Sequence, residues 1–151
     1  ERVDKIAALL EKKSIPYCRH SLLENSEPDS VILLDTFGEL ATIYSLAQVV
    51  FIGRSLIKPG GGHSLIEPLS HGIAVLHGPY IENIDHVADE AHKQSVAFTV
   101  RNSEEIKEKV DNLLTQKNYR RSLACKAKSL INDQQGAAEK IATIMFKFLE
   151  S

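Results

Sequence analysis

The chain has 151 residues, 43% of them hydrophobic and 25% charged, enough for a packed core and typical of a globular domain in water. A formal charge of −2 offers no basic stripe for nucleic acid, so an acidic ligand has to be met locally. The apolar runs at 31–34 and 49–53 fall far short of the roughly 20 residues a membrane-spanning helix needs, and two cysteines, Cys18 and Cys125, are too few for a disulfide framework.

A reducing compartment is therefore expected. The sequence opens on Glu1 without a charged-then-apolar leader, and the expectation is a piece of a longer protein.

Val3, Ile6, Ala7, Leu9 and Leu10 recur at helical spacing among charges, which predicts an amphipathic helix over 1–13 that Pro16 ends. Ile15 to Arg19 reads as a short strand, and 24–30, polar and holding Pro28, as a loop. Three continuously apolar runs follow, at 31–34, 49–53 and 73–76. Each is expected to be a parallel strand covered on both faces.

Helical segments lie between these runs. Leu40 to Ala47 keeps a helical period, 65–71 ends at Gly72 as a suitable C′ residue, and 84–92 is a further helix before a strand at 95–100. Helices over 103 onward, 118–132 and 137–149 complete the chain, with Gly136 between the last two. The fold class is α/β: a Rossmann-like parallel sheet with flanking helices, forming one domain over 1–151.

Ligands of open parallel sheets sit at the carboxyl ends of the strands, so the loops leaving the strands hold the candidate chemistry. The first is Asp35-Thr36-Phe37-Gly38-Glu39-Leu40. Two readings are open for it: backbone amides and Gly38 approaching an anion, or Thr36 and Glu39 forming a capping box.

The second is Pro59-Gly60-Gly61-Gly62-His63-Ser64-Leu65-Ile66-Glu67-Pro68. Three successive glycines are costly in chain entropy for a mere connector and suit a backbone nest around phosphate. Glu67 is placed to accept hydrogen bonds from the vicinal hydroxyls of a ribose. The competing reading is a capping box Ser64-x-x-Glu67, with Pro68 biasing Glu67 away from helical geometry.

The third loop, His77-Gly78-Pro79-Tyr80, closes the run at 73–76, and Tyr80 either stacks on a base or caps the core. His63, His71, His77 and His86 lack the spacing of a zinc site, so no metal is expected. Arg120, Arg121, Lys126 and Lys128 read as a solvated helix face.

These three motifs, in this order and spacing, resemble the C-terminal half of 3-deoxy-D-manno-octulosonic acid (Kdo) transferases, and the resemblance covers essentially the whole chain. It implies the nucleotide-binding domain of a GT-B glycosyltransferase whose first strands lie upstream of Glu1. CMP contacts are then expected at Phe37, Gly38 and Glu39 and at Ser64, Leu65, Ile66 and Glu67, beside phosphate approach by Gly60, Gly61 and Gly62.

Ser64 departs from the family's usual Asn, Phe37 from its Met and Ile84 from its Phe. The donor is expected to be CMP-Kdo and the acceptor a lipid A precursor, with no cofactor. An N-terminal acceptor domain and membrane contact are implied outside this chain, at the cytoplasmic face of the bacterial inner membrane. No residue here is expected to be the catalytic base, so the piece alone is expected to be inactive. Two alternatives are a GT-B enzyme that uses a UDP-sugar and a noncatalytic nucleotide-binding or docking module.

Overall fold

The computed structural model describes residues 2–25, 31–133 and 145. The chain separates into two compact units, Glu1–Ile43 and Tyr44–Ser151.

In the first unit, α1 (Arg2–Lys12) turns its Ala7 inward, and β1 (Tyr17–Arg19) follows Pro16. Arg19 donates to Asp4 at 2.6 Å and the Tyr17 hydroxyl to Glu11 at 2.6 Å, so two side-chain bonds tie β1 to α1. A 3₁₀ segment over His20–Asn25 leads away from β1. Strand β2 (Val31–Leu33) pairs parallel with β1, Tyr17 opposite Val31 and Arg19 opposite Leu33.

One expectation is corrected here. Val31 and Ile32 are 40% and 51% exposed and only Leu33 is buried, so β2 is not covered on both faces. A two-stranded sheet beside one helix has too little apolar surface to enclose a strand. Helix α2 (Leu40–Leu46) carries the chain from this unit into the next.

The second unit holds β3 (Val49–Ile52), α3 (Ile66–Ser70), β4 (Ala74–His77), α4 (Asp85–Lys93), β5 (Ala97–Thr99), α5 (Ser103–Thr115) and α6 (Lys117–Asp133). The strands form one parallel sheet in the order β3-β4-β5, as alternating strands and helices predict. Val49 lies opposite Ala74, Ile52 opposite His77, and His77 opposite Thr99.

Only the central strand matches the expectation of a fully covered run. All four residues of β4 are buried, whereas Phe51 on the edge strand β3 is 38% exposed. Leu65 and Leu69 of the α3 region, Ala88 and Ala91 of α4, and Leu123 and Ala127 of α6 close the core around Val75 and Leu76.

Helix α5 is capped by Asn102, whose side chain accepts from the Glu105 amide at 2.8 Å, while Glu105 accepts from the amide of Arg101, the residue before the cap, at 2.9 Å. Gly72, at φ +78°, terminates α3 in the left-handed conformation the sequence predicts. The helix expected over 137–149 lies, apart from Met145, outside the described residues. No described helix is long and apolar enough to cross a membrane.

Candidate functional site

Because Ile52 and His77 are opposite one another, the loops leaving β3 and β4 emerge side by side at the carboxyl end of the sheet. They are stitched together residue by residue. The Ser55 hydroxyl donates to the Ile52 carbonyl at 2.6 Å and accepts the Gly78 amide proton at 2.8 Å. The Tyr80 amide donates to the Ser55 carbonyl at 3.0 Å, the Gly61 amide to the Tyr80 carbonyl at 3.1 Å, and the Gly62 amide to the Arg54 carbonyl at 3.0 Å. Asn83 closes the set by donating its amide to the Gly61 carbonyl at 3.2 Å.

These bonds change the role expected of the glycines. The amides of Gly61 and Gly62 are spent inside the protein and both residues are buried, so they form no open nest for a phosphate. What they permit is close approach. A Cβ on Gly60 would stand 2.5 Å from Cβ of Tyr80, and one on Gly62 would stand 2.8 Å from Cδ1 of Ile84, with Gly62 already at φ +70°.

Immediately after this buried platform the chain surfaces: His63, Ser64, Ile66 and Glu67 are exposed, while Leu65 is buried and anchors the segment. Ser64 Oγ accepts from the Ile66 amide at 3.2 Å and Leu65 is the N-cap residue, so the Ser64-x-x-Glu67 capping box does not form. Pro68 does not expel Glu67 from the helix, because it lies in the first turn of α3, where its missing N–H costs nothing. The Glu67 carboxylate makes no hydrogen bond to another described residue and is open to a donor such as a sugar hydroxyl.

An open cleft of about 600 Å³ runs between Lys58, Gly60 and Gly61 on one side and Glu82 and Asn83 on the other. Lys58 Nζ lies 5.2 Å from the centre of the Tyr80 ring, so Tyr80 carries a cation on its face instead of capping the core. His77, the last residue of β4, is 1% exposed. Its Nδ1 contacts the Gly78 carbonyl at 2.7 Å, and its Nε2 lies 2.9 Å from Nε2 of His92, which Thr99 Oγ1 approaches at 3.3 Å. Burial holds the His77 imidazole below its ordinary pKa, the Gly78 carbonyl opposes that shift, and the neighbouring His92 adds to it.

The turn after β2 is a separate candidate in the first unit. Asp35 accepts from the Ser21 amide at 3.0 Å and the Ser21 hydroxyl at 2.8 Å, and these two bonds lower its pKa. Glu39 accepts from the Thr36 hydroxyl and lies 3.0 Å from Nδ1 of His20, so its carboxylate is engaged by side chains. This is a side-chain triad, not the reciprocal backbone capping of a capping box. Gly38 is at φ +85° with open space around it, and Phe37 is fully exposed.

Sequence reasoning missed Ser55, Lys58 and Glu82. Nothing in the local pattern marks Ser55, whose partner Gly78 is 23 residues away. Lys58 and Glu82 join the cleft only through the pairing of the two loops.

No family model matches the chain. It is 35% identical over 112 residues to a 3-deoxy-D-manno-octulosonic acid transferase of Aquifex aeolicus, an alignment covering 74% of this chain and 31% of that protein. With the enzyme of the same name from Haemophilus influenzae it shares 29% identity over 152 residues, covering 99% of this chain and 35% of the relative. A bifunctional glycosyltransferase/methyltransferase of Fusobacterium nucleatum is 32% identical over 121 residues, covering 78% of this chain and 19% of that protein.

The C-terminal CMP-Kdo binding domain of WaaA from Acinetobacter baumannii matches the structure with a TM-score of 0.79 and 26% identity, over 86% of this chain and 68% of that one. The chain is a homologue of the Kdo transferases.

The homologue spans about a third of the length of the curated Kdo transferases it matches. Its relatives are glycosyltransferases, and its fold is that of a C-terminal Kdo transferase domain. In this Kdo transferase homologue, Ile84 lies against the face of Gly62 in the buried platform, whereas Ser64 stands on the exposed segment. Of the two departures in this unit, one is thus in the packing and one at the surface.

Proposed function

We propose that the protein containing this chain transfers Kdo from CMP-Kdo to a lipid A precursor in lipopolysaccharide biosynthesis, and that the chain supplies the donor-nucleotide side. The observation that carries the reading is the buried glycine platform followed at once by an exposed Ser64 and an exposed, unbonded Glu67, on a fold shared with a domain described as binding CMP-Kdo.

In this reading Glu67 accepts hydrogen bonds from the ribose hydroxyls. A carboxylate is the strongest acceptor a side chain offers, and a vicinal diol presents two donors at matching separation. Ser64, Leu65 and Ile66 lie along the nucleotide, with Leu65 acting through its backbone because its side chain is buried. Gly60, Gly61 and Gly62 serve the donor indirectly, by letting the loops after β3 and β4 pack closely enough to hold the exposed 63–67 segment in place. Phe37, Gly38 and Glu39 are carried as nucleotide contacts on the resemblance, and substitution of Phe37 tests them separately.

Acceptor binding, the catalytic base and membrane contact at the cytoplasmic face of the inner membrane are assigned to other parts of the protein. The catalytic base must reach the acceptor hydroxyl, and this chain's candidate residues serve the donor.

The test is a transfer assay on the whole protein with CMP-Kdo and a lipid A precursor, beside the Glu67→Gln variant. Transfer that falls at least about tenfold in the variant, with unchanged folding, supports the assignment. Transfer from a UDP-sugar instead of CMP-Kdo overturns it.

A further inference from the structure

At the other end of the same sheet, where β3 and β4 begin, a second concavity of about 230 Å³ opens between Gln48, His71, Gly72, Lys117, Arg120 and Arg121. Lys128 extends the same rim of α6, its stem lying against Gly72. Lys117, Arg121 and Lys128 form no ion pair among the described residues, and each is exposed. Arg120 is half-buried and held in place: its Nη1 donates to the Leu113 carbonyl at 2.6 Å and the Leu114 carbonyl at 2.7 Å. Those bonds use Nη1 alone, and a guanidinium has further donors on Nη2 and Nε.

Four permanent cations gathered on one rim repel one another, and in a chain with a net charge of −2 they are a local excess, not a reflection of composition. The spacing of Lys117, Arg121 and Lys128 places them along one side of α6, and Arg120 is fixed by the α5 carbonyls, so the cluster is built into the fold. The ring of His71, 6.3 Å from that of Tyr44, closes the wall opposite.

We propose that this concavity is an anion site that takes a phosphoryl group. The Arg120 guanidinium supplies oriented donors, and Lys117, Arg121 and Lys128 supply charge. The same chemistry is presented by a free phosphate and by a phospholipid headgroup, so the experiment separates these sources.

The ¹⁵N-labelled protein is titrated with inorganic phosphate, with potassium chloride at matched ionic strength, and with vesicles of phosphatidylglycerol or phosphatidylcholine. Amide signals of residues 71–73 and 117–124 are followed, and the double variant Lys117→Gln/Arg121→Gln serves as the control. The expected result is a saturable change at those amides with phosphate that chloride does not reproduce and that weakens about tenfold in the double variant. A response confined to phosphatidylglycerol vesicles assigns the site to a lipid headgroup. No change with either phosphate or vesicles, an equal response to chloride, or an undiminished response in the double variant overturns the proposal. Retained CMP binding in the double variant keeps this test independent of the donor site.

Discussion

The hydroxyl of Ser55 bridges the ends of two neighbouring strands, donating to the Ile52 carbonyl and accepting the amide proton of Gly78. Ser55 is fully buried and Gly78 is buried too, so no water replaces the hydroxyl when it is removed. Ser55→Ala leaves a buried N–H unsatisfied and is expected to destabilise the protein by about 2 kcal/mol, read as a shift of the urea midpoint at unchanged m-value. An unchanged midpoint contradicts this account of the junction.

Gly78 gives the same junction from the other side. A Cβ there would run into the Ser55 carbonyl and its neighbouring backbone, which no rotamer change relieves. Gly78→Ala is expected to cost about 3 kcal/mol, more than Gly38→Ala, whose surroundings are open. Thermal unfolding of the two variants in parallel ranks them.

The buried His77 predicts a pH dependence. Its folded pKa lies below the ordinary 6.5, so between those two values the unfolded chain binds a proton that the native protein does not. Stability is therefore expected to fall as pH drops through 6.5 and to level off below the folded pKa. His77→Asn, which keeps a donor for the Gly78 carbonyl, is expected to lose this component of the slope. Denaturant unfolding between pH 7.5 and 5, and the side-chain titration of His77 by NMR, measure it directly.

The parallel α/β class was legible from alternating apolar runs and helical periods, because burial in β4 and amphipathicity in α4 to α6 are local consequences of composition. The exposure of Val31 and Ile32 was not, since an apolar run reports what a strand tolerates and not what is layered upon it. At the site, the glycine triplet marked a close backbone approach. Which group approached depended on Tyr80, Asn83 and Ile84, roughly 20 residues away and brought near only by strand pairing.

Glu67 is exposed and bonds to no other described side chain, so its removal is expected to leave folding intact. Glu67→Ala and wild type are expected to share one urea midpoint within about 0.5 kcal/mol, which separates a binding residue from a packing one.

The central claim is that the segment from Ser64 to Glu67 holds a cytidine nucleotide. Titration of the protein with CMP and, in parallel, UMP, followed by amide NMR and repeated on Glu67→Ala, tests it most directly. The account predicts saturable CMP shifts at 60–67, weaker shifts with UMP, and at least about a tenfold loss of CMP affinity in the variant. Equal responses to CMP and UMP, or CMP binding undiminished by Glu67→Ala, would contradict it.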